Sequence, residues 1–194
     1  DRQLREHILP FWLAYARDNT CGGYVTCLDE KGEVYDWDKL CMWAQGRLAW
    51  TFSRMYNELE QRDEWLDFAG LGVAFIQDHG FADDGTMHYA LTRAGRPLQP
   101  AQDVYTELST ILAFAEFARA TGDRGLAGRA VDLMDSVWHR LQAPGQAFQP
   151  IDAATRPARL HGHSMITLNV LQELRTCCPD LDVQPRIDAC LEYM

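Results

Sequence analysis

Gly22-Gly23-Tyr24-Val25-Thr26-Cys27-Leu28-Asp29-Glu30-Lys31-Gly32-Glu33-Val34 and, 63 residues later, Gly85-Thr86-Met87-His88-Tyr89-Ala90-Leu91-Thr92-Arg93-Ala94-Gly95-Arg96-Pro97 follow one plan. In each, a glycine stands ten residues after another, an alternating segment lies between them, and a polar turn precedes the second glycine. That pattern reads as a small β-hairpin. A weaker third copy, Phe148-Gln149-Pro150-Ile151-Asp152-Ala153-Ala154-Thr155-Arg156-Pro157, follows about 60 residues further on. A period of this size, made of hairpin, helix and helix, is an internal repeat. No helix pair buries its apolar face alone, so the units must stack, either as an open solenoid or as a ring.

Between the hairpins, apolar residues recur at helical spacing, and the chain reads as all-α. The first helix is expected over Leu4 to Ala16, with Ile8, Phe11, Trp12 and Tyr15 on its apolar side. A second is expected from Asp38 to Leu59, patterned by Leu40, Trp43, Leu48, Trp50 and Met55, and a third from Glu64 to His79. The fourth and fifth are expected over Asp103 to Ala120 and Asp123 to Leu141, with Gly122 as a stop and Asp123 as a cap. A sixth begins near Ser164 and a seventh near Gln184.

Composition narrows the function classes. Of the 194 residues 47% are hydrophobic and 24% charged, which excludes wholesale disorder. The net charge of −10 leaves no basic stripe for phosphates, so nucleic acid is not an expected partner. No apolar run is long enough to span a membrane. Cys21, Cys27, Cys41, Cys177, Cys178 and Cys190 have neither the setting of a disulfide scaffold nor zinc spacing, so buried free thiols and a cytoplasmic location are expected. The chain opens on Asp1 and stops at Met194 inside a helical pattern, which reads as a fragment.

The stretch richest in chemistry is Lys39-Leu40-Cys41-Met42-Trp43-Ala44-Gln45-Gly46-Arg47-Leu48-Ala49-Trp50. Helical spacing sets Trp43, Arg47 and Trp50 along one side. An arginine on a tryptophan-rich face needs partners: either a neighbouring carboxylate together with stacking on a tryptophan, or ligand oxygens gripped by its fork of donors. Gly46 inside the helix costs about 1 kcal/mol against Ala, which points to close packing or close ligand approach.

Trp43-Ala44-Gln45-Gly46-Arg47, with Trp50-Thr51-Phe52-Ser53 and Tyr56, resembles the signature of the N-acylglucosamine 2-epimerase family. The resemblance runs on through Cys21-Gly22-Gly23-Tyr24, Leu28-Asp29, Asp84-Gly85, Thr92-Arg93-Ala94-Gly95, Ala115-Glu116-Phe117-Ala118-Arg119-Ala120-Thr121-Gly122-Asp123, Met165-Ile166 and Leu168-Asn169-Val170. It implies an (α/α)6 toroid of six repeats, of which residues 1–194 form a single partial domain of about three, the N-terminal half. It also implies a sugar 2-epimerase or aldose–ketose isomerase that takes a small-molecule sugar without a cofactor, and it is compatible with a homodimer. Arg47 matches the family arginine at the enediolate oxygen, and Trp43 and Tyr105 match positions lining the sugar pocket. The two histidines that exchange the C2 proton belong to the family's C-terminal half, so the chain alone is expected to be inactive.

The resemblance also makes His163, in His161-Gly162-His163 ahead of the sixth helix, a further candidate for touching substrate, because some family members place substrate-contacting polar groups there. Ser164 replaces a proline frequent in relatives, and the histidine that some isomerases use in this helix falls nearest Thr167. His7, His79, His88 and His139 read as surface or packing residues. Asp36 with Asp38, and Asp103 with Glu107, are the carboxylate pairs that a hydrolase on the same toroid would need. Their other reading is as charges at helix starts. Asp83-Asp84-Gly85 lacks the rest of a calcium loop and reads as a turn. The alternatives to an epimerase are that hydrolase, or a non-catalytic module binding sugar or protein.

Overall fold

The repeat is kept residue for residue. In a computed structural model, which describes residues 2–142, 161–192 and 194, β1 (Cys27–Leu28) pairs antiparallel with β2 (Val34–Asp36), and β3 (Ala90–Leu91) pairs likewise with β4 (Pro97–Gln99). Each strand of the second hairpin lies 63 residues after its counterpart. Helices α2 (Met42–Glu58) and α4 (Tyr105–Thr121) are both 17 residues long and stand at the same offset. The third hairpin copy, Phe148 to Pro157, lies outside the described residues.

Around these run α1 (Leu9–Tyr15), α3 (Asp63–His79), α5 (Arg124–Gln142), α6 (His161–Cys177) and α7 (Gln184–Leu191). Helices α2, α4 and α6 form an inner row, and each packs on the helix that follows it. The inner helices are parallel. At one end the Tyr105 and His163 rings lie 5.5 Å apart and a Cβ on Gly46 would touch Ser109. At the other end Asn57 Nδ2 donates to Glu116 Oε1 at 3.0 Å, and Cys177 Sγ donates to Glu116 Oε2 at 3.4 Å. Every residue of α4 from Thr106 to Glu116 is buried, as befits the middle of such a row.

Helix limits depart from expectation where distant contacts intervene. The second helix starts at Met42 rather than Asp38, because Lys39 exchanges backbone bonds of 2.8 and 3.0 Å with Leu91 and Met42 N donates to Tyr89 O. Its buried face is Met42, Gln45, Gly46, Ala49, Phe52 and Ser53, whereas Leu40 and Trp43 are exposed. The first helix opens as a π-helical stretch, Leu4–Ile8, before α1. Pro10 has no N–H for the carbonyl one turn back, a usual cause of such irregularity. Leu9 is buried there, while Ile8 and Tyr15 are exposed. The sixth helix begins at His161, so His161-Gly162-His163 is its first turn and not a preceding loop. Gly122 takes a left-handed φ of 76°, and Asp123 Oδ1 accepts from Leu126 N at 3.0 Å, as the stop and cap require. Of the six free cysteines only Cys190 is buried, the other five being half-buried. No helix among the described residues is long and apolar enough to cross a membrane.

Candidate functional site

The parallel inner row brings the N-terminal turns of α2, α4 and α6 to one end, and with them Trp43, Arg47, Tyr105 and His163. Gly46 makes the approach of α2 to α4 possible, because a Cβ there would lie 2.7 Å from the Ser109 carbonyl carbon and oxygen.

Arg47 is half-buried, its guanidinium carbon 5.7 Å from the centre of the Trp50 ring. Burial pushes its pKa below the ordinary arginine value. Among the described residues no carboxylate pairs with it, whereas Arg54, Arg93, Arg119, Arg140 and Arg186 are each paired. The packing reading of this arginine is met in part: the stacking on a tryptophan is present, and the carboxylate partner is not found among the described residues. Trp43, one turn earlier, is 42% exposed.

Tyr105 is half-buried, and its N–H donates to Asp103 Oδ1 at 2.8 Å. Burial and the Asp103 charge raise the phenol's pKa. Gly162 sits where a Cβ would come within 2.6 Å of the Tyr105 hydroxyl, so the glycine of His-Gly-His makes room for that tyrosine. His163 is 6% exposed, and its Nε2 is buried without a hydrogen-bond partner. Burial lowers its pKa, against an opposing pull from the Asp103 charge. Trp50 Nε1, Thr110 Oγ1 and Thr167 Oγ1 are likewise buried and unpartnered, so all three inner helices carry such atoms. Buried polar atoms are nearly always satisfied, by protein, water or ligand.

The carboxylates weighed for hydrolysis make structural bonds, though Glu107 keeps one buried oxygen, Oε2, without a hydrogen-bond partner. Asp36 Oδ1 accepts Asp38 N, and Asp38 Oδ1 accepts Arg93 N at 2.7 Å, so both shape the hairpin exit and neither lies at the helix start. Glu107 Oε1 accepts Arg140 Nη2 at 3.0 Å and Met87 N at 3.4 Å. Asp84 Oδ1 accepts both Thr86 N and Thr86 Oγ1, closing a turn. Among the described residues no group of three His, Cys, Asp or Glu side chains stands ready to hold a metal ion.

Three arrangements were not anticipated. Lys39, 0% exposed, puts Nζ 3.1 Å from Asp18 Oδ2, while Arg93 grips the same carboxylate through Nε and Nη2 at 2.9 Å each. Burial alone would raise the Asp18 pKa, but these cations and two backbone N–H groups hold it well below the carboxylate range. Gln45 clasps Tyr24, accepting its N–H and donating to its C=O, both at 2.8 Å. Glu116 gathers Arg54, Arg119, Asn57 and Cys177 at the far end of the inner row. For the first, a signal was present: Arg93 stands where the first hairpin copy has Glu30, a charge reversal in register.

Comparison with known proteins agrees with this geometry. Residues 23–171 match the family model of N-acylglucosamine 2-epimerase (GlcNAc 2-epimerase). The N-acylglucosamine 2-epimerase of Bos taurus is 31% identical over 182 residues, covering 90% of this chain and 43% of the relative. A sugar epimerase from a ruminal bacterium superposes with a TM-score of 0.82 at 21% identity, over 100% of this chain and 53% of its own. A cellobiose 2-epimerase from Bacillus thermoamylovorans gives 0.83 at 20%, over 98% and 53%. The chain thus spans about half the length of the relatives it matches, and its fold is that of the N-terminal half of an (α/α)6 toroid. A repeat-built inner row of parallel helices, the Trp-Ala-Gln-Gly-Arg turn at its mouth and the match over residues 23–171 lead to one assignment: the chain belongs to the N-acylglucosamine 2-epimerase family.

Proposed function

We propose that the whole protein inverts or isomerises a sugar at C2 by deprotonation and reprotonation, and that residues 1–194 form one wall of the sugar pocket as three of six helical-hairpin repeats. A base removes the C2 proton of an open-chain aldose, and the electron pair moves onto the carbonyl oxygen to give an enediolate. Return of a proton to the opposite face of C2 gives the epimer, whereas passage of the O2–H proton to O1 and return of a proton to C1 gives the ketose. The C2–H is acidic only while the enediolate is stabilised. Arg47 is the catalytic residue of this chain, its donors facing the enediolate oxygen. Trp43 packs on the sugar ring, and Tyr105 and His163 bond its hydroxyls. The groups that carry the proton lie outside these 194 residues.

The observation that carries the reading is Arg47 itself, half-buried at the mouth with Trp50 beside it and no carboxylate among the described residues to neutralise it. An arginine so placed suits an oxyanion that forms only during the reaction. Six unpaired thiols fit a reducing cytoplasm, and the net charge of −10 disfavours nucleic acid. The test is incubation of the protein translated from the complete reading frame with N-acetylmannosamine, mannose and cellobiose in D2O. Deuterium at C2 supports the proposal. Release of a cleaved sugar without exchange overturns it in favour of hydrolysis, and binding with neither reaction overturns it in favour of a sugar-binding module.

A further inference from the structure

Leu28 and Leu91 hold the same place in successive hairpins, 63 residues apart, yet only Leu91 has a neighbouring strand on both sides. In each hairpin the next residue closes the turn: Asp29 N donates to Glu33 O at 3.0 Å, and Thr92 N to Arg96 O at 2.8 Å. In an antiparallel pair that leaves the N–H and C=O of the leucine pointing away from its own partner strand. Leu91 uses both, exchanging bonds of 3.0 and 2.8 Å with Lys39, and Tyr89 O accepts Met42 N at 2.8 Å beside them. The segment leading into α2 is thus laid on the second hairpin as a further strand. Among the described residues neither group of Leu28 has such a partner, and Thr26 O, the counterpart of Tyr89 O, has none either. Burial follows the bonds: Ala90 and Leu91 are buried, whereas Cys27 and Leu28 are half-buried. A strand edge of this kind takes an added strand.

The repeat says which strand belongs there. The strand laid on Leu91 comes from the preceding unit and brings that unit's inner helix with it. A Cβ on Gly46 of the arriving helix would lie 2.7 Å from Ser109 O and 3.0 Å from Thr110 N. The residues 63 positions before Ser109 and Thr110 are Gly46 and Arg47 themselves. A helix delivered to α2 in the same way therefore rests on the main chain of Gly46 and Arg47. Trp43, Arg47 and Trp50 are not among the residues that α2 buries, so that side of the helix is open to it. Relatives carry the length for such a unit, the chain covering 43% of the one from Bos taurus.

We propose that the strand edge at Leu28 is the seam at which the whole protein closes on itself. Its N–H and C=O receive the extended residues ahead of the last inner helix, the counterpart of Asp38 to Cys41. They thereby seat the first turn of that helix on Gly46 and Arg47. The backbone of the first hairpin, with no side chain of its own in the site, then decides what stands next to Arg47 on the side away from α4. The inference rests on the six-repeat reading of the whole protein and not on its chemistry.

The test uses the protein translated from the complete reading frame and needs no sugar. Amide hydrogen exchange is measured residue by residue in the parent protein, with Leu91 as the internal standard. The expected result is protection of Leu28 N–H to within about tenfold of Leu91 N–H, and faster exchange than that overturns the proposal. The occupant is identified by a leucine analogue bearing a diazirine, placed at residue 28, where it is close to leucine in size. On illumination it should join the stretch of the same chain that aligns with Asp38 to Cys41 in the last repeat. A link to any other stretch overturns the proposal. So does a link between copies, read from a mixture of heavy and light protein, because the edge then serves a second molecule. If the same preparation exchanges no sugar at C2, the epimerase reading fails on its own, and both readouts still decide whether the seam is at Leu28.

Discussion

Gly46 of α2 and Ser109 of α4 sit 63 residues apart in the chain and touch backbone to backbone. The contact joins equivalent places in successive repeats and sets the spacing of the inner row at the level of Arg47. Gly46→Ala drives a methyl to within 2.7 Å of main-chain atoms that cannot rotate away. We expect a loss of about 2–3 kcal/mol in stability, as for overpacked cores, read as a lower urea midpoint at unchanged slope.

Arg47→Ala in the whole protein should lower kcat for C2 exchange by roughly 10²–10³, the scale for removing a donor to a developing oxyanion. Arg47→Lys keeps the charge but loses the fork, and should recover only part of the rate. A near-normal rate in a folded Arg47→Ala protein would make the residue structural.

Asp18→Asn leaves the buried Lys39 ammonium beside a neutral amide and should cost roughly 3–5 kcal/mol. The pH dependence has a definite sign. The folded-state pKa of Asp18 is depressed, so its contribution is complete above the ordinary carboxylate value of about 3.9 and is lost as pH falls below it. Unfolding midpoints across the acid limb should therefore fall less steeply in Asp18→Asn than in the parent.

His163 titrates with the same sign for a different reason. Burial lowers its folded-state pKa, so the unfolded chain takes up a proton first as pH falls through the ordinary histidine range. Stability should drop between about pH 7 and pH 5, and His163→Gln should flatten that drop. Urea midpoints at the two pH values give the answer.

Glu116→Gln removes the negative charge on which Arg54 and Arg119 converge. Because the carboxylate is 0% exposed and serves all three inner helices, we expect a loss of about 3 kcal/mol. A change within 0.5 kcal/mol, the scale of an ordinary surface substitution, would show that the two arginines carry their own hydration there.

What could be read from residues alone was what leaves a local mark. The glycine pairs Gly22/Gly32 and Gly85/Gly95 sit at positive φ, and that need writes itself into composition. Gly122 and Asp123 ended and began helices for equally local reasons. The start of α2 was hidden because Lys39 is held by Leu91, 52 residues away, and propensity cannot see such a partner. The buried face of α2 was misread through Leu40 and Trp43, because it is Gln45, Gly46 and Ser53, small or polar, that let α4 come close. Trp43 and Arg47 were marked by helical spacing, as a cation on a tryptophan-rich face, whereas Tyr105 and His163 came to notice through a resemblance. Nothing in their spacing shows that the first turns of α2, α4 and α6 share one end.

That sharing has an electrostatic consequence. Three parallel helices of 17 residues each turn the positive ends of their peptide dipoles toward the same mouth. Each end is equivalent to about half an elementary charge, and the three do not cancel as antiparallel neighbours would. In a chain of net charge −10, the mouth beside Arg47 is thus the region where the backbone itself favours an anion, before any side chain is counted.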